Sequence, residues 1–212
     1  MTTQPTKPNA IVFVVDDDAV VREALDSLFR SIGLDVETFG SAAEFLQHKP
    51  TDVPACLVLD VRLPGLNGLD FQAELARAGI RIPIIFVTGH ADVPMSVRAM
   101  KAGAVEFLTK PFREQDMVEA IQAALEKDRG RREHDNKLSE LQGLFESLTS
   151  REREVIGFVT AGLMNKQIAA EIGVSEITVK VHRGNVMRKM GAKSLADLVR
   201  MADALGIRRE GT

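Results

Sequence analysis

The sequence predicts a two-domain chain: a doubly wound α/β domain on a five-stranded parallel sheet, then a separate all-α domain of four helices. Three observations predict it. From Ile11 short apolar runs alternate with amphipathic stretches, and glycines stand where those stretches should stop. From Thr149 onward no strand pattern occurs. Strands alternating with helices bury a parallel sheet between helical layers, whereas helices alone must pack on one another.

The strands are expected at Ile11–Val15, Asp35–Phe39, Cys56–Leu59, Ile84–Val87 and Val105–Leu108. Helical spacing of apolar residues places helices at Val20–Ile32, Ala42–His48, Leu69–Ala78 and Pro94–Ala102, with a fifth starting near Glu114. Gly33, Gly79 and Gly103 fit helix C-termini, where a left-handed residue closes the last turn. Sites in such sheets collect at the C-terminal ends of the strands. This domain is assigned to residues 9–127.

Beyond Asp128 the texture turns polar through Lys137, then Leu138, Leu141, Leu144, Phe145 and Leu148 recur at helical spacing. Residues 128–147 therefore read as a charged helical linker ending in an amphipathic segment, either an exposed tether or a coiled-coil-like stem. Residues 148–212 form the helical domain, with helices expected at Ser150–Thr160, Asn165–Ile172, Glu176–Met190 and Leu195–Leu205. Thr149 with Glu152 makes a capping box, and Ser175 and Ser194 are further N-caps. Gly173-Val174-Ser175 is a three-residue turn between the second and third of these helices, the spacing of a helix-turn-helix.

Composition narrows the classes. With 212 residues, 45% hydrophobic and 27% charged, each half can bury a core. No apolar window reaches membrane-spanning length. The apolar run after the polar first nine residues is too short for a signal peptide, so a cytoplasmic protein is expected. One cysteine and four histidines leave a zinc finger without ligands, and Cys56 reads as a small core residue. The net charge of −3 is uneven: from Thr149 onward eleven Lys and Arg face seven Asp and Glu. A basic module on an acidic one points the C-terminal part toward a polyanion.

Asp16, Asp17 and Asp18 follow the first strand, and Asp60 ends the third. With these strands adjacent, their carboxylates meet at one rim and need a cation to stay ionised together. Oxygen ligands at an open rim suit Mg²⁺. Thr88 ends the fourth strand and Lys110 follows the fifth, so a hydroxyl and an ammonium face the carboxylates. A phosphoryl group needs such a hydrogen bond and such charge neutralisation. Asp18 is left outside the site, facing solvent or capping the next helix.

Val14-Val15-Asp16-Asp17, Leu59-Asp60-Val61-Arg62-Leu63-Pro64-Gly65, Val87-Thr88-Gly89-His90 and Lys110-Pro111-Phe112 resemble the response-regulator receiver signature, a flavodoxin/CheY-like fold. The stretch from Gly89 to Phe107 is similar to the FixJ branch, whose members join a receiver to a LuxR/NarL-type output domain. That resemblance implies that Asp60 accepts a phosphoryl group from the phosphohistidine of a sensor histidine kinase. It also implies that Asp16, Asp17, Asp60 and the Arg62 carbonyl hold Mg²⁺, and that Lys110 and Thr88 contact the phosphate. Phe107 would be the aromatic switch that moves with Thr88, unless it is plain core. A cis Lys110-Pro111 bond is a further implication.

Leu148 to Val155, Gly162 to Ala170 and Ser175 to Asn185 resemble the LuxR/NarL helix-turn-helix domain, with Glu176–Met190 as recognition helix. Ile177, Val181, Val186 and Met190 can face the core, leaving Thr178, Lys180, His182, Arg183 and Asn185 variously exposed. Lys180 and Arg183 can reach guanine edges or phosphates, and Lys166, Arg188 and Lys189 suit backbone contact. Val181 reads as a thymine-methyl contact or as core, and His182 as a packing or phosphate-contacting residue. Gly184 stands where some family members carry a basic residue, so no base contact is assigned there.

The reading is a phosphorylation-controlled DNA-binding protein that dimerises when phosphorylated, binds double-stranded promoter DNA and regulates transcription, the resemblance favouring activation, with RNA polymerase as a further partner. Beyond its own phosphotransfer and dephosphorylation it is expected to be no enzyme. Two alternatives are a DNA-binding regulator independent of phosphorylation and a Mg²⁺-dependent phosphoaspartate phosphatase. The second requires an aspartate two residues beyond the nucleophile, where this chain has Arg62.

Overall fold

In the computed structural model residues 10–49, 51–90 and 92–207 are described. The domain limits set at residues 9 and 212, and Ala91 of the Gly89–Phe107 stretch, lie outside them. The chain divides into two compact units, the first running to Arg132 and the second starting at Glu133.

In the first unit β1 (Ile11–Val15), β2 (Asp35–Phe39), β3 (Ala55–Asp60), β6 (Ile84–Thr88) and β7 (Glu106–Thr109) form the predicted parallel sheet in the order β2-β1-β3-β6-β7. A two-residue antiparallel ladder, β4 (Arg62–Leu63) and β5 (Leu66–Asn67), lies between β3 and the third helix. Gly65, with φ of 81°, turns the chain between them, a backbone that other residues adopt at a cost. The helices are α1 (Ala19–Ser31), α2 (Ala42–Leu46), α3 (Gly68–Arg77), α4 (Val93–Lys101) and α5 (Glu114–Glu146).

Alternation along β1 feeds two cores. Val12 and Val14 pack with Leu25 and Phe29 of α1 and with Met117, Ile121 and Leu125 of α5. Phe13 and Val15 pack on the other face with Phe45 of α2, Phe71 and Leu75 of α3 and Ala99 of α4. Because the sheet is covered on both faces, β1 and β3 are apolar nearly throughout rather than alternating. Cys56 is wholly buried, and burial aided by the Asp128 charge pushes its thiol up to about 12, so it serves as packing.

Residues 128–146, read as a linker, continue α5 without interruption. No proline occurs between 114 and 146, and the polar stretch carries its own side-chain pairs: Glu126 with Arg129, and Asp128 with Arg131 and Arg132. Pairs three and four apart support a helix that has no apolar face to bury. Asp128 is itself buried and accepts the Ala55 amide at 3.0 Å, while Arg132 donates to the Thr51 carbonyl at 3.0 Å. Within the first unit α5 is therefore pinned to the segment that enters β3. Further along, Leu138 and Leu144 are partly exposed.

The second unit is helical: α6 (Ser150–Thr160), α7 (Asn165–Ile172), α8 (Glu176–Met190) and α9 (Leu195–Ala204). Thr149 and Glu152 close the expected capping box, and Ser175 and Ser194 cap α8 and α9 through their hydroxyls. Gly173, at φ 69°, ends α7 and sets the turn into α8. Val155, Ile156, Ile168, Val179, Val186 and Met190 meet in the core of this unit.

One residue of α8 departs from expectation. Ile177, placed toward the core, is 77% exposed; Val181, left open between core and a thymine-methyl contact, is 58% exposed, while Val179 is fully buried. At 100° per residue, Val179, Val186 and Met190 share one face, and Ile177 and Val181 lie on the opposite one with Lys180, Gly184 and Arg188. Apolar residues occur on both faces of this helix, so periodicity alone does not choose between them.

Candidate functional site: an acidic rim and a recognition helix

The parallel registers bring the ends of four strands to one rim. Val15 pairs with Leu59, Asp60 with Val87, and Thr88 with Thr109. Asp16 and Lys110, each one residue past its strand, therefore join Asp60 and Thr88 at the C-terminal edge. Asp16 and Asp60 are buried and Asp17 is exposed. The Lys110 ammonium bridges the two buried carboxylates, 2.6 Å from Asp16 Oδ2 and 2.8 Å from Asp60 Oδ2. The Lys110-Pro111 bond is cis.

Backbone groups fix the carboxylates. The Arg62 amide donates to Asp60 Oδ1 at 2.9 Å, and the Asp18 amide donates to Asp16 Oδ1 at 2.9 Å. Asp18 itself caps α1, its side chain accepting the Val20 amide at 2.8 Å. Burial raises the pKa of Asp16 above the ordinary carboxylate value, against the bond from Lys110. For Lys110 burial acts downward, but the bonds to Asp16 and Asp60 outweigh it and leave its pKa raised, so the ammonium is charged at neutral pH.

One oxygen each from Asp16, Asp17 and Asp60 lies within 4.8 Å of the others, and the Lys110 ammonium pairs with two of these carboxylates, Asp16 and Asp60. An all-oxygen donor set with uncompensated negative charge fits a hard divalent cation of the Mg²⁺ class. Thr88 is fully buried and its hydroxyl oxygen accepts the His90 amide at 3.3 Å. Phe107 is half-buried, its ring 6.1 Å from that of Phe86.

Two supporting groups escaped the sequence reading. An Arg22 guanidinium nitrogen donates to the Asp16 carbonyl at 2.6 Å. Gly68, the first residue of α3, donates its amide to the Val61 carbonyl, and a Cβ there would stand 2.6 Å from the Asp60 carbonyl oxygen. The glycine thus lets α3 approach the backbone just after Asp60. Its signal was the Asn67-Gly68 pair at a helix start, which also reads as an ordinary turn.

In the second unit Lys166, Lys180 and Arg188 are exposed, together with Ile177 and Val181. Thr178 shares a 2.9 Å hydrogen bond with the Ser175 hydroxyl. Arg183 donates to Asn165 Oδ1 at 2.7 Å, tying α8 to α7. The Lys189 ammonium reaches Glu152 Oε2 at 2.6 Å and the Ser147 carbonyl at 3.3 Å. Glu152 is buried, and that ammonium, with the Thr149 amide, holds its carboxyl down to about 2. His182 is half-buried with Nδ1 unpartnered among the described residues.

Comparison with known proteins agrees with both halves. Residues 12–122 match the response regulator receiver domain, and residues 146–202 match the bacterial regulatory proteins of the luxR family. The chain is 62% identical over 198 residues to Nodulation protein W of Bradyrhizobium diazoefficiens, covering 93% of this chain and 87% of that protein. It is 43% identical over 195 residues to the transcriptional regulatory protein FixJ of Rhizobium meliloti, covering 92% and 96%. Among solved structures, response regulator StyR is 50% identical with a TM-score of 0.82, over 92% of this chain and 98% of that one. Full-length FixJ from B. japonicum is 39% identical with a TM-score of 0.57, over 95% and 99%. A receiver fold with an acidic rim, followed by a luxR-type helix-turn-helix on one chain, makes this protein a two-component response regulator of the FixJ type, a DNA-binding transcriptional regulator.

Proposed function

We propose that Asp60 is the phosphoacceptor and that its modification controls DNA binding by α8. The observation that carries this is the pairing of Asp60 with Lys110 at 2.8 Å inside the Asp16, Asp17 and Asp60 cluster. A carboxylate oxygen of Asp60 attacks the phosphorus of a kinase phosphohistidine. The phosphorus–nitrogen bond breaks, the imidazole leaves with its electron pair and takes up a proton, and an acyl phosphate remains on Asp60. Mg²⁺ held by Asp16, Asp17, Asp60 and the Arg62 carbonyl would neutralise carboxylate charge against the incoming phosphoryl oxygens. Lys110 moves from the Asp60 oxygen to a phosphoryl oxygen, the charge-assisted bond that the new anion favours. The Thr88 hydroxyl gives up its contact with His90 to bond the same group, and the half-buried Phe107 ring follows Thr88.

That shift alters the surface of α4, where Val93, Val97 and Met100 are exposed at helical spacing. Two phosphorylated receivers pair through this face, and pairing raises affinity for two half-sites through effective concentration. On DNA, Lys166, Lys180, His182 and Arg188 meet phosphates or base edges, Thr178 contacts at the N-terminal end of α8, and the exposed Val181 meets a thymine methyl. Arg183 and Lys189 contribute only insofar as they leave Asn165 and Glu152. RNA polymerase is the partner downstream.

The test is Asp60→Asn, with acetyl phosphate and Mg²⁺ as phosphodonor mixture. Intact mass is expected to show one added phosphoryl group on the wild type and none on the variant, and sedimentation to show a dimer only for the former. A variant that still gains the group or still dimerises sinks the proposal.

A further inference from the structure

At the opposite end of the sheet from Asp60 lies a cavity of about 260 Å³ that the phosphorylation site does not use. Its floor is apolar and aromatic: Phe13, Phe45, Ala55 and Ile82, with Leu46 and Ile80 at the mouth. Its rim is basic. Lys49, Arg81, Arg131 and Arg132 line it, against the single carboxylate of Asp128. Asp128 is already engaged by Arg131 at 2.6 Å, by Arg132 at 2.5 Å and by the Ala55 amide at 3.0 Å. Among the described residues neither the exposed Lys49 ammonium nor the exposed Arg81 guanidinium has a hydrogen-bond or ion-pair partner.

We propose that this cavity binds a small organic anion: one carboxylate on an apolar body, seated with the body on Phe13 and Phe45 and the charge toward Lys49 and Arg81. An apolar floor with a few convergent polar groups is the usual makeup of a small-molecule site. Charge complementarity selects the sign, because four cations line the rim and the one carboxylate among them is satisfied. The cavity's size and its rings exclude a bare inorganic anion as the preferred occupant, since such an ion would leave the floor wet. The ligand would also reach the Asp128–Arg131–Arg132 junction, which pins α5 to the segment entering β3.

The experiment titrates benzoate into the full-length protein and follows backbone amide resonances. Saturable shifts are expected at Ala55 and Ile82 but not at Val179, with an affinity in the roughly millimolar range or tighter. Benzamide, which keeps the ring and loses the charge, and inorganic phosphate, which keeps charge and loses the ring, should each bind at least tenfold more weakly. The pair Lys49→Ala and Arg81→Ala, both on exposed side chains, should weaken benzoate at least tenfold. Leu46→Trp, which fills the mouth, should abolish the shifts. No saturation with benzoate, equal binding of benzamide or phosphate, or full affinity in the double variant each overturns the proposal.

Discussion

Lys189→Met separates two roles that one ammonium could play, and the structure supplies the magnitude. The Lys189–Glu152 pair joins α8 to the start of α6 at 2.6 Å, with Glu152 only 4% exposed and Lys189 25% exposed. Glu152 is held from 4.5 down to about 2, chiefly by this bond and secondly by the Thr149 amide. A shift of that size corresponds to at most ~3 kcal/mol of stability. Part of it belongs to Thr149, and solvent screens the partly exposed ammonium, which leaves about 1–2 kcal/mol for Lys189. Removing the cation also strands a buried carboxylate, so the loss should not fall below that range.

A depressed carboxylate pKa stabilises the fold above its unfolded value and ceases to do so as the pH falls through the folded one. The gap between wild type and Lys189→Met should therefore be constant from neutral pH to about 5 and close between about 4.5 and 2. The chain has no Trp or Tyr, so methyl resonances of Ile156 and Ile168, both fully buried, serve to follow urea unfolding of the second unit. The same variant is titrated with DNA across a salt series. If its urea midpoint is unchanged while the salt slope falls by about one, Lys189 is a phosphate contact and the stapling argument is wrong.

Gly68→Ala forces a Cβ against the Asp60 carbonyl and the Val61 Cα, both backbone atoms, and should cost about 1–3 kcal/mol. It should also slow phosphorylation by acetyl phosphate, whereas Gly130→Ala, with nothing within 4 Å, should do neither. Lys180→Ala should lower the salt slope of DNA binding by about one with no change in unfolding midpoint, since its ammonium is exposed. Arg183→Ala should do the opposite in stability, losing about 1 kcal/mol with its bond to Asn165. Unfolding curves and DNA titrations on the same samples check both.

The rim was legible because a parallel sheet converts chain order into position. Asp16, Asp60, Thr88 and Lys110 are up to 94 residues apart, yet each follows or ends an apolar run, so the fold class alone sends them to one edge. Caps were legible for a related reason: Asp18, Thr149, Ser175 and Ser194 act on amides two or three residues away. What could not be read were contacts set by packing between elements. Nothing in the sequence ties Lys189 to Glu152, Arg183 to Asn165 or Arg22 to the Asp16 carbonyl.

The outward apolar residues of α8, Ile177 against expectation and Val181 on one of its two readings, show where pattern loses its authority. A helix that packs on one side and touches only water on the other announces its faces by hydrophobicity. If the outer face of α8 meets a DNA groove as proposed, it has reason to keep an apolar residue such as Val181 exposed, because thymine methyls reward apolar contact. Both faces of α8 then carry valine or isoleucine, and the periodic signal cancels. The continuous α5 is the complementary case. Its polar stretch from Asp128 to Lys137 reads as a helical linker and is helical, sustained by paired charges three and four apart. What the hydrophobic pattern does not show there is that this helix continues the one packed on the sheet, because the residues of the join answer to charge pairs and not to their own domain's core.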